Sequence, residues 1–250
     1  MDAVDAATQK AVEIQRAYYA ETANRYDDTH LHEDDEHHFA LQIMISLLQQ
    51  LGITSILDIG SGTGRGLMKL NCQAPGVPAV GVEPSPELRR IGHSKGLAAD
   101  QLIEGDAMSL ALADGSFDLV CEFGALHHIP DPSKAVSEML RVARKAIFIS
   151  DTNNFGQGSP LSRLVKQSIN AAGLWPLADW IKTRGKGYSI SEGDGLFYSY
   201  SVFNDLKLIR ERCESVRILG TRDSGPNLYR TAPQVALLGI KPRSGGTTES

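Results

Sequence analysis

From residue 52 onward, short apolar runs alternate with longer stretches in which apolar positions recur every three or four residues. The short runs cover residues 53–59, 77–83, 101–104, 117–123 and 146–150. Rich in Val, Ile, Leu and Phe and too short for helices, they read as strands buried on both faces. The intervening stretches carry helix start signals. Ser85 is followed by Pro86, and Asp131 by Pro132, each a capping side chain before a proline that fits the first helical position. Strand and helix in alternation imply right-handed crossovers and a doubly wound, mostly parallel sheet. Residues 215–220 and 234–241 add two strands, the last of them antiparallel, for about seven in all. Helical periodicity also marks residues 2–24 and 39–51, before the alternation starts, and 202–213 after it. The pattern therefore predicts an N-terminal helical cap over 1–51, an α/β domain over 52–242 and a polar tail over 243–250. Within the domain, 151–200 is an insert that breaks the rhythm.

The first strand runs directly into Gly60-Ser61-Gly62-Thr63-Gly64. Three alternating glycines let the chain turn sharply and let a ligand lie against bare backbone. The N–H groups that open the following helix face whatever is bound there. Two familiar glycine loops are excluded by spacing. A dinucleotide fingerprint requires G-x-G-x-x-G, and its third glycine falls on Arg65 counting from Gly60, or on Leu67 counting from Gly62. A P-loop requires Gly-Lys-Ser/Thr after the turn, and none is present.

Composition narrows the possibilities. The 250 residues, 42% hydrophobic, suffice for one well-buried core. A net charge of −5 gives no overall electrostatic footprint for nucleic acid or an anionic membrane surface. Cys72, Cys121 and Cys213 form no CxxC and read as buried thiols of a reducing compartment. The first eight residues lack a basic and apolar leader, and no run is apolar enough for a membrane span, so a cytoplasmic protein is expected. Residues 27–38 hold four histidines and six carboxylates. With no fixed spacing such as HExxH, they read as an acidic loop and helix start rather than a metal site.

The ordered motifs together resemble the class I S-adenosylmethionine-dependent methyltransferases, and their small-molecule branch that includes the ubiquinone/menaquinone methyltransferases. Residues 56–64 are similar to that family's first motif and Val80-Gly81-Val82-Glu83-Pro84-Ser85 to its second. Glu104-Gly105-Asp106-Ala107 and Phe117-Asp118-Leu119-Val120 are similar to its third and fourth, and residues 123–132 to the segment after its fourth strand. The resemblance, over residues 53–150, implies a Rossmann-like fold and S-adenosyl-L-methionine as cofactor. It implies that Gly60, Ser61, Gly62 and Gly64 cradle that cofactor, with Asp58 behind the loop. Glu83 is to accept the ribose hydroxyls, and Asp106 with the Ala107 N–H to meet the adenine. Glu122 and Phe123 are to form the wall beside the sulfonium. Asp118 reads as a strand-start residue rather than a ligand.

Methyl transfer to a hydroxyl requires a base, and His127 and His128, just past the fourth strand, are the foremost candidates, with the alternative that they are a packed connection. His37 and His38 come next. Tyr18, Tyr19 and Tyr26 lie where the resembling enzymes place a lid, or else are core aromatics. The insert, with Trp175 and Trp180, is expected to complete the pocket for a small-molecule acceptor, and its Lys182, Arg184 and Lys186 to meet an anionic group or only solvent. Asp151, Asn153 and Asn154 faintly resemble an acidic metal site but suit a loop as well, and no metal is assigned. A macromolecular target, an N or C acceptor, and a cofactor-binding regulator without catalysis are the other readings; the sequence carries no signal for oligomeric state.

Overall fold

A computed structural model of the chain describes residues 13–15, 18–19, 22, 36–191, 195–222 and 224–242. Tyr26, the acidic stretch 27–35 and the tail 243–250 lie outside these residues. The elements, in order, begin with α1 (Glu36–Leu47), β1 (Ile56–Ile59), α2 (Arg65–Gln73), β2 (Ala79–Val82), α3 (Pro86–Ser94), β3 (Leu102–Ile103) and β4 (Phe117–Phe123). They continue with α4 (Pro132–Val142), β5 (Ala143–Thr152), α5 (Pro160–Ala171), α6 (Trp175–Lys182), β6 (Ser189–Ser191) and β7 (Gly195–Phe197). The chain closes with α7 (Leu206–Arg212), β8 (Ser215–Gly220), α8 (Leu228–Thr231) and β9 (Gln234–Ile240).

Seven strands form one sheet in the order β3-β2-β1-β4-β5-β9-β8, with only β9 running against its neighbours. The strand order reverses between β1 and β4, which pair in parallel from Ile56↔Leu119 to Ile59↔Glu122. In such sheets the ligand crevice lies beyond the carboxyl ends of the strands at that reversal. Both faces are covered. Leu57, Val120, Ile147 and Leu237 point to the side packed by α4, while Ile56, Leu119, Phe148 and Leu238 point to the side packed by α1 and α2. This two-residue alternation inside continuous apolar runs is what a sheet buried on both faces requires.

Several expected boundaries shift. The 77–83 and 101–104 strands are trimmed to Ala79–Val82 and Leu102–Ile103, and the 39–51 helix moves to Glu36–Leu47. The single helix expected over 202–213 is divided into a 3-10 turn and α7. The division falls at Asp205, whose carboxylate is taken by the hydroxyls of Ser133 (2.5 Å) and Tyr200 (2.8 Å). The insert contains a small separate hairpin, β6–β7, that the hydrophobic pattern does not announce. The cysteines also differ from expectation: Cys121 is buried, but Cys72 is exposed. On α2 the inward positions are Leu67 and Leu70, which leaves residue 72 on the outer face.

Asp118 is fully buried at the foot of β4. Its carboxylate accepts from the Thr54 N–H (2.9 Å) and hydroxyl (2.7 Å), and pairs with Arg144 (2.6 Å) and Lys145 (3.1 Å). Burial disfavours its ionisation, but the Thr54 bonds and then the two cations outweigh it and hold the carboxyl at about 2. Asp118 thus joins β4, β5 and the β1 approach at the end of the sheet away from the crevice. Asp118→Ala is expected to lower unfolding free energy by about 2–3 kcal/mol, because Thr54 loses its buried partner while the half-exposed cations can rehydrate. Urea denaturation midpoints check this. The contribution is present above the ordinary value of 3.8 and is lost as pH falls toward 2.

Candidate active site

A cavity of about 190 Å³ opens at the crevice. Gly60 and Gly62 line it, both at positive φ (67° and 56°). A side chain at Gly60 would collide with the Ala125 methyl, so the loop lies hard against the turn after β4. Glu83, at the end of β2, also lines the cavity although it is only 4% exposed. Its Oε2 accepts from the Gly62 N–H (3.0 Å) and its Oε1 from the Ser85 N–H (2.8 Å). One carboxylate therefore ties the glycine loop to the start of α3 and presents its remaining lone pairs to the cavity. Burial pushes its pKa up to about 7, against the pull of those two N–H groups.

Asp106 and Ala107 line the cavity after β3, beside Met108. Asp106 is exposed and its Oδ1 accepts from the Met108 N–H (2.8 Å), which shapes the turn. Phe123, Gly124, Ala125 and His128 form the wall that follows β4. His128 Nδ1 lies 2.6 Å from the Leu196 carbonyl oxygen, which can only accept. The Nδ1 therefore carries the proton, and the lone pair of the neutral ring is on Nε2.

Of the residues assigned from the sequence to the cofactor or as foremost base, five do not line the cavity, and neither do Trp175, Trp180, Lys182, Arg184 and Lys186 of the insert. Asp58 is buried behind the loop, near the Cys121 thiol (3.8 Å), with its pKa raised to about 7 by burial. The Ser61 hydroxyl turns away to the Asp58 carbonyl (2.9 Å), and Gly64 serves as the left-handed entry to α2. Glu122 stands behind the wall. Its Oε2 accepts from the Ala125 N–H (2.9 Å), and its Oε1 is buried without a partner among the described residues. His127 faces Asp151 at 2.7 Å.

Asp151 is the residue whose part the sequence hides. Fully buried at the end of β5, it accepts at Oδ2 from the N–H groups of Leu126 (2.9 Å) and His127 (3.3 Å). Its Oδ1 takes the His127 ring and the Thr152 N–H. Burial opposes its ionisation, but His127 and the Thr152 N–H hold its pKa below the usual carboxylate range. The neighbouring Glu122, desolvated and facing that charge, is pushed well above the usual carboxylate range. The two adjacent carboxyl groups are thus shifted in opposite directions, Asp151 down and Glu122 up.

Gln15, which no sequence motif marks, closes part of the cavity with Tyr19. Its Oε1 accepts from the Leu196 N–H (2.6 Å), and its Nε2 is buried with no acceptor among the described residues. Tyr198, from the insert, lines the cavity too, and its N–H bonds the His127 carbonyl (2.8 Å). His37 sits over Gly124 and bonds Ser150 (3.0 Å), while His38 contacts Lys69. Among the described residues no group of three or more His, Cys, Asp or Glu side chains is arranged to hold a metal, and no helix is long and apolar enough to cross a membrane.

Comparison with known proteins agrees with this architecture. Residues 57–149 match the family model described as a methyltransferase domain. A demethylmenaquinone methyltransferase of Thermus thermophilus is 35% identical over 91 residues, 35% of this chain and 41% of that protein. A norajmaline N-methyltransferase of Rauvolfia serpentina is 35% identical over 96 residues, 36% of this chain and 32% of its own length. The chain thus spans only about two fifths or less of the length of these curated relatives. Among solved structures, a magnesium protoporphyrin IX methyltransferase of Synechocystis with bound SAH superposes with a TM-score of 0.59 at 16% identity, covering 92% of this chain and 99% of that one. A SAM-dependent methyltransferase of Thermotoga maritima gives 0.56 at 21% identity, covering 90% and 99%. Such distant likenesses support the fold, and the match to the methyltransferase domain model covers residues 57–149 of this chain.

Proposed function

We propose that the chain is an S-adenosyl-L-methionine-dependent methyltransferase acting on a hydroxyl oxygen of a small molecule. The observation that carries the reading is a single cavity lined both by the Gly60–Gly62 cradle with Glu83 and by His128. The residues present fit the donor. Bare backbone at positive φ lines the cavity at Gly60 and Gly62, and Glu83 offers carboxylate lone pairs to a vicinal diol. Asp106 and the Ala107 N–H suit the edge of a purine, and the orphaned Gln15 amide is a ready donor to a ligand oxygen. When bound, the donor supplies an electrophilic methyl group and departs as a neutral thioether.

The protein's own work is then alignment, exclusion of water and proton removal. Orientation can account for up to about 7–11 kcal/mol of the barrier. Val82, Leu88, Met108, Phe123 and Ile129 keep the cavity largely apolar. His128 Nε2 takes the hydroxyl proton, and the Leu196 carbonyl accepts from Nδ1–H and steadies the ring as it gains charge. The N-terminal residues Gln15 and Tyr19 act as part of a cap over the site.

The test has two arms. Thermal shift should show stabilisation by S-adenosylmethionine and none by NADH; a ligand at 100 times its dissociation constant adds about 2.7 kcal/mol. Incubation with isotope-labelled donor and fractionated metabolites should then yield a product labelled at oxygen. Label at nitrogen or carbon overturns the acceptor assignment, and binding without any labelled product overturns catalysis.

A further inference from the structure

The insert contains a helix turned inside out. Neither α5 nor α6 has a single buried residue. The polar side of α5 faces the protein body. Gln167 donates to the carbonyls of Phe155 (2.9 Å) and Arg230 (3.1 Å), Asn170 to the Tyr229 hydroxyl (2.9 Å), and Lys166 to the Asn154 carbonyl. Its apolar stripe, Leu161, Leu164 and Val165, points outward, with Leu161 71% exposed. On α6 the positions i, i+3 and i+4 held by Leu177, Trp180 and Ile181 are likewise exposed. Helices on a water-facing surface show the reverse polarity. Because the inward bonds of Gln167 and Lys166 are to fixed main-chain carbonyls, α5 cannot roll to hide this face without losing them.

Charge identifies what the face meets. Between residues 160 and 188 stand five cations against the lone carboxylate of Asp179, a net of +4 in a chain whose total is −5; Arg163 and Lys166 turn inward to the Thr231 and Asn154 carbonyls. Lys182, Arg184 and Lys186 are exposed at the end of α6 and just beyond it. The modest overall charge conceals this segregation. A second copy docked face to face would set two basic loops side by side. An apolar helical face bordered by cations, with a tryptophan on it, instead has the composition of a surface that lies in a lipid interface.

We propose that the α5–α6 hairpin docks on an anionic lipid bilayer. Its apolar side chains enter the boundary between headgroups and acyl chains, and the basic residues following α6 meet lipid phosphates. The surface stands independently of the methyl-transfer reading.

The experiment uses the full chain with vesicles of phosphatidylcholine alone or mixed with phosphatidylglycerol, read by flotation and tryptophan fluorescence. Expected is binding to the mixed vesicles with a blue shift, at least about tenfold weaker on phosphatidylcholine alone or in high salt. Leu164→Ser/Leu177→Ser/Ile181→Ser should abolish flotation with little change in melting temperature, because those side chains are exposed. Should that variant melt early, Arg184→Gln/Lys186→Gln decides: the wild-type fold is kept and affinity for mixed vesicles drops at least about tenfold. No flotation with either vesicle overturns the proposal. So does binding unchanged in the variants, or a dimer that the triple substitution dissociates and that leaves the vesicles unbound.

Discussion

Glu83→Ala is expected to weaken S-adenosylmethionine binding by about 10²–10³-fold, from the loss of two charge-assisted hydrogen bonds to the ligand. The same change removes the acceptor shared by the Gly62 and Ser85 N–H groups, so the glycine loop loses its tie to α3. The sheet does not depend on that tie, and far-UV circular dichroism should stay native. Glu83→Gln, which keeps one oxygen, should fall between. Calorimetric titration checks both, and an unchanged dissociation constant in the alanine variant would remove Glu83 from the site. Protons add a second readout. Burial raises this carboxyl to about 7, and a ligand that donates hydroxyls to it favours the ionised form. Binding should therefore release a proton, and affinity should fall by up to about tenfold per unit as pH drops below 7. Without ligand the sign reverses for stability. A carboxyl raised in the folded state contributes stability that is full below its ordinary 4.5 and is lost as pH rises through about 7. Asp58, also raised to about 7 by burial, adds in the same direction.

His128→Ala is expected to lower kcat by about 10²–10⁴-fold while leaving the donor dissociation constant within about twofold. The ring lines the cavity with its proton on Nδ1, held by the Leu196 carbonyl of the insert. His127→Ala should behave differently. Its ring is turned to Asp151, so removing it loosens the turn and lowers kcat and melting temperature together. Single-turnover kinetics with each variant separate the two. Full activity in His128→Ala would mean that the acceptor arrives already deprotonated or that the proton leaves by another route.

Much of the sheet could be read along the chain because its strands are continuous apolar runs bounded by turn chemistry. Ser85-Pro86 and Asp131-Pro132 open helices α3 and α4 with the capping bonds their side chains predict, to Leu88 and Lys134. The glycine loop was legible for a similar reason: its conformation is dictated within five residues. What stayed hidden depends on distant partners. Asp118 reads as a strand-start residue, and its bonds to Thr54 and Arg144, across 64 and 26 positions, leave no local mark. Asp151 read as loop or faint metal ligand, whereas its work is to hold the backbone of Leu126 and His127, 25 and 24 positions earlier. Gln15 gave no signal at all, being one polar residue on a helical face, 181 positions from the Leu196 N–H it meets. The outward stripe of α5 has ordinary amphipathic spacing. Only the carbonyls it docks against reveal which side is inside.

The stitching between the histidine turn and the insert has an evolutionary corollary. Leu196 lends its carbonyl to His128, and Tyr198 its amide to the His127 carbonyl, so the His128 imidazole is oriented by a segment outside the matched domain. Grafting a foreign insert at this point would change acceptor preference and base alignment in one stroke. A productive chimera would need a carbonyl where Leu196 now stands, however different its remaining residues.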